Sequence, residues 1–217
     1  DDVVYGMNDV PDEMKKYTDL LIVVDTNSTK RVGDKVESFS QKFKDILYID
    51  HHPASIDHQD QHCIDTKAAA TGELVGDYIK ALGVPFSIKL ALPLYTSILI
   101  DTSSFRYPSV TGNTHRLIGE HLDTGLKPAM AYNGIYGTKH IHHMHMLGKI
   151  LATTDKNKTG EIAWICLHKK ILDDYATDIE DTHGFINNLL ILDNIKVACM
   201  FREDPGEVKI SFRSTGD

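Results

Sequence analysis

Asp50, His51 and His52 stand side by side where the apolar run Ile46 to Ile49 gives way to Pro53. An acid and two imidazoles at the end of a strand can hold a metal ion and move a proton. Two more acids occupy comparable places: Asp25 follows Leu20 to Val24, and Asp101 follows Ile98 to Ile100. In a parallel α/β sheet the strand C-termini gather along one edge, where ligands bind. Each acid alone reads better as a cap for the element after it. Three acids (Asp25, Asp50 and Asp101) and the His51-His52 pair in the same context point instead to one shared spot that gathers carboxylate and imidazole.

The elements that must position these groups follow from the apolar pattern. Leu20 to Val24 is an unbroken run, expected as a strand buried on both faces, and Ile46 to Ile49 is the next strand. Pro11 and Asp12 to Lys16 suit a helix start, and Asp34 to Phe43 has helical character. His58 and His62 read as solvated loop residues. A helix follows, with Thr71 as N-cap, Glu73 complementing the dipole, Gly83 at the C-terminus and a core-facing stripe of Leu74, Tyr78 and Leu82. Ser87 to Ile100 is a helix, whole or broken at Pro93, that delivers Asp101. Arg106 reads either as a fork for a phosphate oxygen or as a surface ion pair. Asn113-Thr114 opens the next helix, with Leu117 and Ile118 inward and His115 and His121 outward.

Leu126-Lys127-Pro128 marks a boundary, and residues 129–150 form a helical connection. Its histidines, His140, His142, His143 and His145, sit among Met144, Met146 and Leu147 with no acid close by, the pattern of a solvated helix face. Beyond Leu151, Glu161 to Leu167 and Ile195 to Phe201 read as strands, and Asp181 to Asn187 starts a helix. Asp204-Pro205-Gly206 turns the chain into a hairpin with Val208 to Phe212. The fold class is therefore α/β: a parallel-sheet domain at 1–127, a helical linker at 128–150, and a smaller α+β domain at 151–217.

The 217 residues carry a net charge of −8, with 41% hydrophobic and 25% charged residues, an ordinary globular composition. The acidic balance argues against a sequence-independent grip on long duplex nucleic acid, while bound cations can still draw in a small anion. No apolar stretch approaches the ~20 residues of a membrane span, and the N-terminus is not signal-like. Three widely spaced cysteines, Cys63, Cys166 and Cys199, read as free thiols of a reducing cytoplasm. The chain opens on Asp1-Asp2 without Met and stops at Asp217, which reads as a piece cut inside a domain at both ends.

Asp-His-His after an apolar strand, preceded by Val-Val-Asp-Thr at 23–26 and followed by Ile-Asp-Thr-Ser-Ser-Phe-Arg at 100–106, resembles the DHH/DHHA1 phosphoesterases. Within them the chain is most similar to the nanoRNase and pAp phosphatase group. The resemblance implies a DHH catalytic domain and a DHHA1-like substrate domain. It implies manganese, two ions in an intact protein with Mg²⁺ as an alternative: Asp25, His51 and Asp101 hold one ion between them, and the second depends on an upstream motif. His52 is then the phosphate contact or proton partner, and Arg106, Arg213 and Ser214 bind substrate. The family's upstream motif of a His and two Asp and its downstream Gly-Gly-Gly-His loop are not in the sequence. The implied activity is hydrolysis of short oligoribonucleotides (nanoRNA) from the 5′ end to 5′-mononucleotides, with pAp as a second substrate. A cyclic-dinucleotide phosphodiesterase is the alternative on the same scaffold, and a metal-deficient nucleotide-binding module the alternative of another class. The partner is a short RNA or nucleotide, not a membrane or long duplex, and a homodimer stays open.

Overall fold

The computed structural model describes residues 16, 19–53, 62–175, 182 and 184–215. The helix start at Pro11 and Asp12, the loop placement of His58, and the Asp181 and His183 part of the later helix start lie outside the described residues. The chain divides into two compact units, Asp1–Ile135 and Tyr136–Asp217. Among the described residues no helix is long and apolar enough to cross a membrane.

The first unit is built on a parallel sheet of order β1-β2-β3: β1 (Leu20–Val24), β2 (Asp45–Asp50) and the two-residue β3 (Cys63–Ile64). Val24 lies opposite Ile49, so β1 and β2 end together and release Asp25 and His51 at the same edge. β1 is not buried on both faces as its composition suggests. Val23 is covered, but Leu20, Ile22 and Val24 remain 50%, 54% and 52% exposed, because β1 is the outer strand of the described sheet.

A 3₁₀ turn (Thr29–Val32) and α1 (Asp34–Ser40) connect β1 to β2. After β3 come α2 (Thr71–Ala81), α3 (Ile88–Asp101), α4 (Gly112–Asp123) and α5 (Pro128–Tyr136). Their core holds Ala70, Tyr95, Ile98, Leu99, Leu117 and Ile118. α3 runs unbroken through Pro93. Pro93 is exposed, so the carbonyl deprived of its donor can turn to water.

α2 departs from the expected stripe. Tyr78 and Leu82 are exposed, and the buried face is Thr71, Gly72, Glu73 and Gly76. Contact is made by small residues: a Cβ on Gly72 would meet Ser97 Oγ at 2.9 Å, and one on Gly76 would meet Leu117 Cδ2 at 3.1 Å. Ala70, not Thr71, is the N-cap. Buried Glu73 accepts from Ala69 N at 2.8 Å and from Thr114 Oγ1 at 3.0 Å, tying the first turn of α2 to that of α4. α4 starts at a capping box of Thr111 and Thr114, earlier than Asn113. His115 faces outward, but His121 is fully buried against Phe86, since it lies one turn from Leu117 and Ile118 on the packed side. His62 is also less solvated than expected. Its ring is edge-on to Tyr48, and its Nδ1 accepts from Tyr48 N at 3.3 Å.

The second unit carries a mixed sheet of order β4-β5-β6-β7: β4 (Asp155–Lys156), β5 (Ile162–Leu167), β6 (Val197–Asp204) and β7 (Glu207–Ser214). β5 and β6 are parallel and the other pairs antiparallel. The β6–β7 hairpin turns at Pro205-Gly206, where Gly206 takes φ +83°. α6 (Ile141–Leu151), α7 (Lys169–Tyr175) and a 3₁₀ segment (Phe185–Ile191) cover one face. The core joins Met146 and Ile150 of α6 to Ile165, Leu167, Ile186, Leu189 and Met200. His140, His142 and His145 are exposed, whereas His143 packs edge-on against Phe185.

Candidate metal centre

Asp25 is the first residue beyond β1 and takes a left-handed φ of 64°, which Asp tolerates better than most residues. Its N–H still donates to Ile49 O at 3.0 Å, so the backbone turns only after one more rung of the ladder. The side chain stays 55% exposed, and Thr71 Oγ1 donates to its Oδ1 at 2.9 Å. His51 follows β2, and Asp101 ends α3.

His51 stands between the two acids. Its Nε2 is 3.9 Å from Asp25 Oδ1 and 3.8 Å from Asp101 Oδ2, too far for hydrogen bonds. Two ligands at about 2.1 Å from a common ion would be separated by roughly 3 to 4 Å. Asp25, His51 and His52 each offer a ligand atom within 4.8 Å of the others. Burial, and next the charge of Asp25, raise the Asp101 carboxyl above its ordinary pKa, while His51, His52 and a hydrogen bond from Ser97 act the other way. Two carboxylates crowded on one imidazole form a site that a cation relieves. The donors are oxygen and imidazole without thiolate, a set that fits a divalent ion such as Mn²⁺ or Mg²⁺.

Asp50 stands behind this group. Its carboxylate is fully buried: Oδ1 accepts from His52 N at 3.2 Å and pairs with His52 Nδ1 at 2.8 Å, and Oδ2 accepts from Asn27 Nδ2 at 3.0 Å. The His51 and His52 rings lie 4.5 Å apart, tilted by 58°. The structure thus brings Asp25, His51, His52 and Asp101 together and sets Asp50 as an orienting group.

Arg106 and Arg213 each bond to their own stretch of chain. After Asp101 the chain makes a left-handed turn, with Ser103, Ser104 and Phe105 at φ 49°, 63° and 64°. Arg106 folds back on it, donating from Nε to Ser103 O at 2.9 Å and from Nη2 to Ser103 Oγ at 2.7 Å. Arg213 and Ser214 end β7 in the second unit, opposite Ala198 and Val197, and Arg213 Nη1 donates to Phe212 O at 2.9 Å. Sequence reasoning missed Asn27, two residues past Asp25, and the hydroxyl of Thr71; the only signal for either was a polar residue near an element end.

No protein-family model matches the chain. It is 26% identical over 216 residues to the bifunctional oligoribonuclease and PAP phosphatase NrnA of Bacillus subtilis, a match covering 98% of this chain and 67% of that protein. It is 29% identical over 197 residues to the protein of the same name from Thermus thermophilus, covering 90% and 57%. Among solved structures, an exopolyphosphatase-related protein from Bacteroides fragilis matches with a TM-score of 0.86 at 27% identity, covering 94% of this chain and 61% of that one. The chain therefore spans 57% to 67% of the length of these relatives.

Proposed function

We propose, from the premise that this chain belongs to the DHH-family phosphoesterases related to NrnA, that it hydrolyses short oligoribonucleotides from the 5′ end to 5′-mononucleotides and also removes the 3′-phosphate of pAp. The observation that carries this reading is the meeting of Asp25, His51, His52 and Asp101 from three separate segments. Asp25, His51 and Asp101 would hold Mn²⁺, with Mg²⁺ as the alternative ion. When bound, such ions acidify a water and polarise phosphate oxygens.

The chain's own groups then have distinct tasks. Thr71 fixes the rotation of the Asp25 carboxylate. Asp50 accepts at His52 Nδ1, which directs the other ring nitrogen to a phosphate oxygen or to the departing hydroxyl. Arg106, Arg213 and Ser214 are the proposed substrate contacts, and Arg106 would release Ser103 to present its planar fork to phosphate. The protein works in the reducing cytoplasm, in keeping with three free thiols, and takes a short RNA or nucleotide as its partner.

The test is full-length protein with Mn²⁺ and a labelled linear dinucleotide, beside pAp, a cyclic dinucleotide and pyrophosphate. Mononucleotide release from the linear substrate, abolished by Asp101→Ala, is expected. Brisk turnover of pyrophosphate or of the cyclic dinucleotide, with the linear one untouched, would overturn the choice of substrate. Nucleotide binding without any turnover would overturn the enzyme reading.

A further inference from the structure

Asn27 is 8% exposed and sits in the turn that follows β1. That turn is already closed locally: Thr26 Oγ1 donates to Ser28 O at 3.2 Å and accepts from Ser28 N at 3.3 Å. The Asn27 amide makes its bonds elsewhere. Nδ2 donates to Asp50 Oδ2 at 3.0 Å and to Pro53 O at 3.2 Å, with His52 O at the outer limit of 3.5 Å. One amide thus grips the carboxylate before His52 and the backbone after it.

The consequence follows from what each group can donate. Asp50, ionised, only accepts. Its Oδ1 takes the His52 N–H and the ring Nδ1, and its Oδ2 takes Asn27. Without Asn27 one oxygen of a fully buried carboxylate loses its donor, and the group is free to rotate toward whatever donor remains. With Asn27 in place, the carboxylate is held where it meets the imidazole, so Nδ1 carries a proton and Nε2 is the nitrogen left to face the substrate.

We propose that Asn27 is a positioning residue, acting through Asp50 to fix the tautomer and direction of the His52 imidazole. Its effect on turnover rests on the phosphodiesterase reading above; its effect on the imidazole does not. A purely structural amide would serve the turn in which it lies, and this one reaches across to the adjacent loop.

The experiment compares Asn27→Ala and the volume-matched Asn27→Leu with wild type in the full chain, alone and combined with Asp50→Ala. Turnover of a labelled dinucleotide with Mn²⁺ is expected to fall about 10- to 100-fold in kcat, with KM little changed, the usual size for losing a partner just behind the reacting groups. Asn27→Leu should be as impaired as Asn27→Ala. Adding either change to Asp50→Ala should cost nothing more, since both act through one imidazole. In metal-free protein, nitrogen-resolved NMR of the His52 ring, assigned with His52→Gln, should show the Nδ1–H tautomer in wild type and a mixture in Asn27→Ala. An unchanged tautomer in Asn27→Ala, full activity in Asn27→Leu, or multiplying losses in the double variant would each overturn the proposal. If wild type leaves the dinucleotide intact, the substrate reading falls, and the NMR comparison alone decides Asn27.

Discussion

Thr71 Oγ1 and Asp25 Oδ1 lie 2.9 Å apart, so the first residue of α2 holds the left-handed residue that ends β1. The carboxylate is more than half exposed and would otherwise rotate freely. Thr71→Val keeps the shape and removes the donor. Affinity for Mn²⁺, read by titration calorimetry, should fall by about 10- to 100-fold, as it does when a ligand loses its supporting hydrogen bond. Thr71→Ser should restore it. Stability should change by only about 1 kcal/mol. Undiminished Mn²⁺ binding in Thr71→Val would mean that another group orients Asp25.

That hydroxyl reaches Asp25 because α2 lies close against α3. A Cβ on Gly72 would stand 2.9 Å from Ser97 Oγ, closer than Cβ contacts come, and 3.0 Å from Leu94 O, tighter than most of them. Gly72→Ala should therefore destabilise the first unit by about 1 to 3 kcal/mol, the range for overpacking a close contact. It should also weaken Mn²⁺ binding, because the helices carrying Thr71 and Asp101 are forced apart. Adding Ser97→Ala should recover part of the thermal stability but not all of it, since the Leu94 carbonyl cannot move aside. Full recovery in the double variant would show that the backbone contact does not matter.

The contrast between Asp25 and Asn27 shows how far the sequence could lead. Acids directly after apolar runs announce themselves, and that pattern is why Asp25, Asp101 and the His51 beside Asp50 could be expected to lie near one another, as they do. Asn27 and Thr71 act across 23 and 46 positions of chain on Asp50 and Asp25, and no local pattern encodes those partners. α2 misled for a related reason. Leu74, Tyr78 and Leu82 form a plausible stripe, but the glycines on another face allow the closer approach, and closeness decided which side went in. Most of the strands were readable from β-branched runs and turn residues. The exposure of β1 was not, because it depends on which elements lie over the sheet.

Asp101 gives a prediction with a definite sign. Burial, followed by the charge of Asp25, raises its pKa above 3.8, so the folded, metal-free protein holds the proton more tightly than the unfolded chain. This contribution to stability is fully present below about pH 3.8 and is lost as pH rises through the folded value. At neutral pH the ionised carboxylate is therefore a burden until a cation arrives. Asp101→Asn should raise the melting temperature of metal-free protein and abolish the rise expected in wild type when Mn²⁺ is added. That rise corresponds to about 2.7 kcal/mol when the ion is at a hundred times its dissociation constant. A melting temperature lowered by Asp101→Asn without metal would contradict the assigned crowding.

His121 should impose the opposite slope. It is fully buried, neither ring nitrogen has a hydrogen-bond partner among the described residues, and the Phe86 ring sits edge-on at 4.9 Å. Burial pushes its pKa below 6.5; Lys80 pushes the same way, and Glu120 opposes both. The unfolded chain therefore takes up the proton more readily than the folded one. The resulting stability is present above about pH 6.5 and drains away as pH falls through the folded value. Replacing the ring by an apolar one of similar bulk, His121→Phe, removes this proton uptake while keeping the contact with Phe86. Scanning calorimetry between about pH 7 and pH 5 should show a shallower fall in melting temperature for the variant than for wild type. Parallel curves would mean that the fold opens enough to solvate the imidazole before it is charged, and that its burial has no bearing on acid stability.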